Sequence, residues 1–161
     1  MMSLYKTLVR PHVEYCVSAS NPHYIKDKKL ILKIQRRFTK MINNMEGKTY
    51  EERLQCLKLW TLDGRRNRQD LIEVFKMCNG LSWIRLNELF TLDDNIKGTK
   101  GHSWKLAKFW CTRDCCKYFF SNRVIIRWNQ LDQRAVSASS INAFKGCLNK
   151  IRETRIGFFM D

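Results

Sequence analysis

Acidic residues are scarce in this chain. Its 161 residues include 15 aspartates and glutamates against 30 lysines and arginines, so the formal net charge is +15. The excess lies towards the two ends, because residues 1–50 and 101–161 each carry +7 whereas residues 51–100 carry +1. This imbalance predicts a polyanionic partner and favours nucleic acid over a membrane surface.

Long apolar runs are also missing, since no stretch approaches the ~20 residues that a helix needs to cross a bilayer. The seven cysteines show no paired spacing, and the sequence shows no signal peptide. We therefore expect an intracellular protein with reduced thiols, in the nucleus or the cytoplasm, without contact to a membrane.

Motifs of several enzyme classes are absent. The chain has neither a Gly-x-Ser-x-Gly nucleophile motif nor a Gly-x₄-Gly-Lys-Ser/Thr phosphate loop. The aspartates of "TLDD", Asp93 and Asp94, lack the third carboxylate of a two-metal polymerase site, and we interpret them as turn or capping residues. No histidine has an identifiable catalytic partner (His12, His23, His102). We expect no catalytic residue and no cofactor.

A metal site can be considered around His102 and three nearby cysteines. Three residues separate Cys111 from Cys115, as in some zinc sites, but no second pair follows Cys115 and Cys116 at a suitable distance. The favoured interpretation is small, partly buried thiols, so we expect no bound metal.

The helical periodicity predicts a mainly α fold, a small multi-helix bundle with a short β-hairpin or irregular insert around residues 100–120. The strands of that hairpin would be "WKLAKFWC" and "CKYFF". Thr49, Thr61 and Ser139 or Ser140 are predicted to cap helices. We expect three regions, namely a helical region at 1–90, the insert at 91–120, and two C-terminal helices with a tail at 121–161.

The stretch "KDKKLILKIQRRFTKMINNM" at residues 26–45 predicts an amphipathic helix. Seven of its apolar side chains fall within an arc of about 120° (Leu30, Ile31, Ile34, Phe38, Met41, Ile42, Met45). Six cations fall within an adjoining arc of about 100° (Lys26, Lys29, Lys33, Arg36, Arg37, Lys40). This apolar arc is expected to face the core.

The cationic arc has two interpretations, a solvated face that keeps the protein soluble or a row of phosphate contacts. Acids that normally alternate with lysine at i,i+4 are nearly missing, which favours phosphate contacts. Arg65, Arg66 and Arg68 open another helix, whose N-terminal N–H groups also favour phosphate, so we predict that they assist.

A second mixture of residues gives a weaker signal. Four aromatic residues, Trp104, Phe109, Trp110 and Tyr118, are interleaved with cations (Lys105, Lys108, Arg113, Lys117). Such rings can stack unpaired bases while the cations hold the backbone. The favoured interpretation is instead a packing layer between the hairpin and the helices. At helical spacing, Trp60, Phe75, Trp128 and Phe144 are expected in the core.

Several segments together resemble a known family. They are "LYKTLVRPHVEYC", "IQRRFTKMI", "TYEERLQCLKLWTLDGRRNRQDLIEVFK", "FTLDDN", "KGHSWKL" and "KYFFSNRVIIRWNQL", which cover about residues 4–152. In this order and spacing they resemble the segment after the catalytic palm of non-LTR retrotransposon polymerases, closest to the jockey-like and chicken-repeat-like elements. The resemblance implies the thumb and C-terminal extension of a reverse transcriptase, which hold template RNA and primer DNA.

The chain departs from that family in two places. The family usually has Trp-Asn-x-Leu-Pro, where this chain has "WNQLDQ" at residues 128–133, and the aromatic-Ala-Asp-Asp motif of the palm is absent. We therefore expect a catalytically incomplete fragment, with residual non-specific binding to the backbone of RNA or an RNA–DNA hybrid. The alternative is a helical protein-interaction module that docks on an acidic partner, such as the missing polymerase palm.

Overall fold

The computed structural model describes residues 2–93 and 101–160 and is mainly helical, which confirms the predicted fold class. The chain divides into two compact units, Met1–Arg66 and Asn67–Asp161. This boundary lies within one long helix, whereas the first predicted region ends at residue 90.

The first unit contains a short helical N-terminal segment and two longer helices. Its elements are α1 (Met2–Leu4), a π-helical segment (Tyr5–Val9), α2 (Arg10–Val13), α3 (Ile25–Lys40), α4 (Tyr50–Cys56) and the start of α5 (Leu62–Cys78). Pro11 accounts for the π-helical segment, because it lacks an N–H and its ring conflicts with the carbonyl of Thr7, four residues earlier.

Polar caps define the starts of three helices as predicted. The backbone N–H of Glu52 donates to Thr49 Oγ1 at 3.4 Å, and its carboxylate accepts from the Thr49 N–H at 2.7 Å, which completes a capping box on α4. The Thr61 hydroxyl accepts from the Gly64 N–H at the start of α5. α3 ends at Lys40, five residues before its predicted end, and turns follow.

The first unit has a small hydrophobic cluster. Its buried members are Tyr5, Leu54 and Leu59, and the Phe38 ring stacks on Tyr5 with 4.9 Å between centroids, while Val17 and Leu62 are buried as well. Trp60, predicted to be a core residue, is only partly buried. Few apolar side chains therefore hold α3 and α4 together.

The second unit contains the rest of α5, α6 (Leu86–Leu89), α7 (Asp114–Lys117), α8 (Phe120–Asn129), α9 (Gln133–Val136) and α10 (Ile141–Thr154). The Ser140 hydroxyl caps α10 by accepting from the Ala143 N–H at 3.1 Å. Phe75 and Phe144 stack with 4.3 Å between centroids, and Trp128 is 0% exposed. All three were predicted to be core residues.

The predicted hairpin of "WKLAKFWC" and "CKYFF" is wrong within the described residues. Leu106 forms an isolated antiparallel bridge with Leu92, and α7 and the start of α8 occupy the place of the second strand. Asn129 explains this, because its side chain accepts from the Leu106 N–H and donates to the Leu106 carbonyl, as a strand would. Asp93 lies in this bridge, and Asp94 falls outside the described residues.

Candidate nucleic-acid interface

All six cations predicted for the basic helix lie on α3 and are exposed (Lys26, Lys29, Lys33, Arg36, Arg37, Lys40). Because the helix is continuous through all of them, they share an arc of about 100° and extend over ~21 Å of its axis. We call this set the α3 cation stripe.

The α3 cation stripe has no internal neutralisation in the part of the chain that the structure describes. None of the six side chains forms an ion pair with a carboxylate there. The Arg36 guanidinium lies over the Tyr50 ring, 5.0 Å from its centroid, and remains exposed. The positive charge is therefore presented to the surroundings.

The spacing of the α3 cation stripe places like charges next to one another. Neighbours three or four residues apart on a helix repel by about 0.2–0.5 kcal/mol per pair. Arg37 and Lys40 offset part of this repulsion energy, because they lie in the last turn, where cations interact favourably with the helix dipole. An anion bound along the stripe would relieve the rest.

The inward face of α3 overlaps the predicted apolar arc only in part, since Phe38 of that arc packs on Tyr5. Gln35 and Thr39 are buried, with 1% and 0% of their surface exposed, whereas Leu30, Ile34 and Met41 are 59%, 46% and 62% exposed. The helix is therefore rotated by about a quarter turn from the orientation that the apolar arc predicts. Its inward face lies outside the arc of the α3 cation stripe.

Polar contacts to α4 explain this rotation. The Tyr50 hydroxyl donates to Gln35 Oε1 at 2.6 Å, and Gln35 Nε2 donates to the Trp60 carbonyl at 3.1 Å. Arg53 donates through Nε to Thr39 Oγ1 at 3.3 Å and through Nη1 to the Lys48 carbonyl at 2.7 Å. Burial raises the pKa of Tyr50 well above 10, so its hydroxyl keeps the proton that it donates.

We call Gln35, Thr39, Tyr50 and Arg53 the polar seam. Its hydrogen bonds determine which side of α3 faces outward. These residues were not predicted, because the prediction followed apolar side chains alone. A usable signal was present, since Gln35 and Thr39 are four residues apart and lie outside the arc of the cations.

The structure corrects the predicted role of Arg65. Its guanidinium binds both carboxylate oxygens of Glu14, with Nη2 2.7 Å from Oε2. Arg10 donates to the same carboxylate at 3.2 Å. Glu14 lies 51 residues from Arg65 in sequence, so local helix electrostatics could not reveal it. Arg65 is a structural side chain here.

Arg66 and Arg68 are also engaged internally. Arg66 is 5% exposed and donates to the carbonyls of Val13 at 2.7 Å and Ser20 at 2.9 Å. Arg68 is half-buried, and its Nη2 lies 3.5 Å from the Lys145 carbonyl. Both guanidinium groups already have protein partners. The candidate interface therefore includes none of the three arginines of α5.

The residues considered for a metal site have other contacts. His102 is 3% exposed, its Nδ1 accepts from the Trp104 N–H at 3.2 Å, and its Nε2 lies 2.9 Å from the Trp128 carbonyl. Desolvation lowers the pKa of His102, which keeps the ring neutral. Cys115 and Cys116 are exposed, not partly buried as predicted. Across residues 2–93 and 101–160, no three or more His, Cys, Asp or Glu residues are grouped to hold a metal ion.

Comparisons with protein-family models, curated proteins and solved structures find no match to this chain. None of the described helices combines the length and the apolar character that a membrane span requires.

Proposed function

We propose that this chain binds RNA or an RNA–DNA hybrid non-specifically, through the phosphate backbone, along the α3 cation stripe. The observation that carries the proposal is the row of six exposed cations without a carboxylate partner among the described residues. The six cations recur along ~21 Å of helix axis, so the stripe can contact several successive phosphates of one strand. Nothing on α3 suggests readout of base edges.

We further propose that the chain derives from the thumb and C-terminal extension of a non-LTR retrotransposon reverse transcriptase and performs no chemical step of its own. The support is the resemblance of its ordered segments to that family. Two of those segments, "KGHSWKL" and "WNQL", contact each other. Trp128 Nε1 donates to the Trp104 carbonyl at 2.7 Å, and Asn129 pairs with both polar backbone groups of Leu106. They therefore form one structural element.

The backbone proposal is tested by removing two charges from the stripe. The Lys29→Gln/Lys33→Gln variant keeps helix-forming side chains at exposed positions, so folding is expected to be unchanged. The slope of log affinity against log salt should become less negative by about 1.4–1.8, because each lost contact removes 0.7–0.9. Fluorescence anisotropy with a labelled RNA–DNA hybrid measures this slope.

The matched control removes two exposed lysines elsewhere, in the Lys6→Gln/Lys150→Gln variant. It has the same net charge as the stripe variant but keeps all six members of the α3 cation stripe. Its salt slope should stay near that of the wild-type chain. Equal slopes for the two variants would mean that net charge alone attracts the nucleic acid, and the stripe would lose its assigned role.

A second candidate function is docking on an acidic protein partner, such as a polymerase palm. The observation that favours it is the exposure of Leu30, Ile34 and Met41 beside the cations. A partner helix with apolar and acidic residues would match both features. The Leu30→Gln/Ile34→Gln variant should then lose binding to an acidic amphipathic peptide while its affinity for the hybrid is unchanged. Loss of binding to the hybrid without loss of binding to the acidic peptide would eliminate this candidate.

A further inference from the structure

The second unit exposes aromatic rings in a segment that was expected to pack inside. Trp110 is 92% exposed, Phe109 is 59% and Phe119 is 53%, and Trp104 is 38% exposed. The predicted packing layer is therefore wrong for Phe109 and Trp110. Large rings normally dominate cores because they bury much apolar area, so several exposed rings within one short segment indicate a contact surface.

The exposed rings stand on a backbone that is fixed at both ends. Leu106 is 1% exposed; its N–H donates to the Asn129 side chain, which donates in turn to the Leu106 carbonyl. Asn122 joins the other end, because its Nδ2 donates to the Cys116 carbonyl at 2.8 Å and lies 3.5 Å from Cys111 Sγ. The same residue donates its backbone N–H to the Phe119 carbonyl at 3.0 Å. Asn122 therefore contacts both Cys111, the residue after Trp110, and the carbonyl of Phe119.

The charges around these rings are mostly positive. Lys108, Arg113 and Lys117 are exposed within the segment, and Asp114 is the one acid between residues 104 and 119. The Lys117 ammonium lies 5.2 Å from the centroid of the Tyr118 ring. Rings that offer flat faces, accompanied by cations, are complementary to unpaired bases joined by phosphates. Paired bases in a duplex do not offer their faces in this way.

We propose that Phe109, Trp110 and Phe119 form a stacking platform for the bases of single-stranded nucleic acid, with Lys108, Arg113 and Lys117 on the adjoining phosphates. It rests on the proposed function only in taking nucleic acid as the ligand. The platform lies in the second unit and uses stacking, whereas the α3 cation stripe lies in the first unit and uses charge. The two sites can therefore fail independently.

The test compares two probes on the full chain, a ten-nucleotide oligo(dT) and an abasic deoxyribose-phosphate strand of the same length. Both carry the backbone charges, but only the first can stack. The Trp110→Ala variant should bind oligo(dT) about 5- to 100-fold more weakly than wild type, with unchanged affinity for the abasic strand. Trp110→Phe should restore most of the affinity and Trp110→Leu little, because leucine supplies apolar area without a ring face.

The control is Trp83→Ala, which removes a fully exposed tryptophan outside the platform and should change neither affinity. Equal affinity of wild type and Trp110→Ala for oligo(dT) would overturn the proposal, as would equal rescue by phenylalanine and leucine. The Lys29→Gln/Lys33→Gln variant separates the two sites. If its salt slope for the RNA–DNA hybrid equals that of wild type while Trp110→Ala still loses oligo(dT), the α3 proposal fails and the platform is supported.

Discussion

The contact between α3 and α4 in the first unit differs from the aromatic core of the second unit. In the first unit the interior between α3 and α4 includes Gln35, Thr39 and Arg53, which meet through hydrogen bonds. In the second unit α5, α8 and α10 bury apolar and aromatic side chains, with Phe75, Trp128 and Phe144 all at most 1% exposed. The difference shows that an apolar arc predicts an inward face well only when its partners are also apolar.

The largest expected effect concerns the aromatic core of the second unit. Trp128→Ala should lower the free energy of unfolding by about 3–5 kcal/mol, because it leaves a cavity and removes the hydrogen bond to the Trp104 carbonyl. Peptide-resolved hydrogen exchange should show the loss of protection mainly in α8 and α10. An equal loss in α3 and α4 would mean that the units unfold as one body and would break the comparison.

A smaller effect is expected from the polar seam of the first unit. Gln35→Ala should cost about 1–3 kcal/mol, because the Tyr50 hydroxyl and the Trp60 carbonyl lose their buried partner. Chemical denaturation measures this loss. Tyr50→Phe removes one of the same hydrogen bonds, so the effects of the two substitutions should be non-additive in a double-mutant cycle. Strict additivity would show that the seam does not act as a unit.

These two interiors also explain how much the sequence could predict. The helix starts at Thr49, Thr61 and Ser140 were predictable because a cap depends on residues within one turn. The core position of Trp128 was predictable because its apolar neighbours recur at helical spacing. In the candidate site, the cation arc was predictable for the same local reason.

The rest depended on contacts distant in sequence. The rotation of α3 follows from Tyr50 and Arg53, which no periodicity on α3 can indicate. Arg65 was predicted to assist in phosphate binding, but its guanidinium binds the carboxylate of Glu14. The predicted second strand failed because Asn129 supplies the backbone pairing of Leu106 from a helix terminus.

The smallest effects concern pH, because buried titratable groups differ in pKa between the folded and the unfolded chain. The pKa of His102 is lowered from its ordinary value of 6.5, so its unfolded form binds more protons and the second unit loses stability as pH falls below about 6.5. At alkaline pH both units lose stability, because burial raises the pKa of Tyr50 in the first unit above 10.0 and raises the pKa of the Cys78 thiol in the second unit from 9.0 to about 12. Hydrogen exchange after pH equilibration, corrected for intrinsic rates, measures the protection of each unit separately. Loss of protection in the first unit on acidification, with the second unchanged, would reverse the assignment.

The most direct measurement is the salt dependence of binding between the wild-type chain and an RNA–DNA hybrid. Six phosphate contacts along the α3 cation stripe predict a slope of log affinity against log salt near −4 to −5. A slope near zero would show that no such row of ionic contacts forms and would contradict binding along α3.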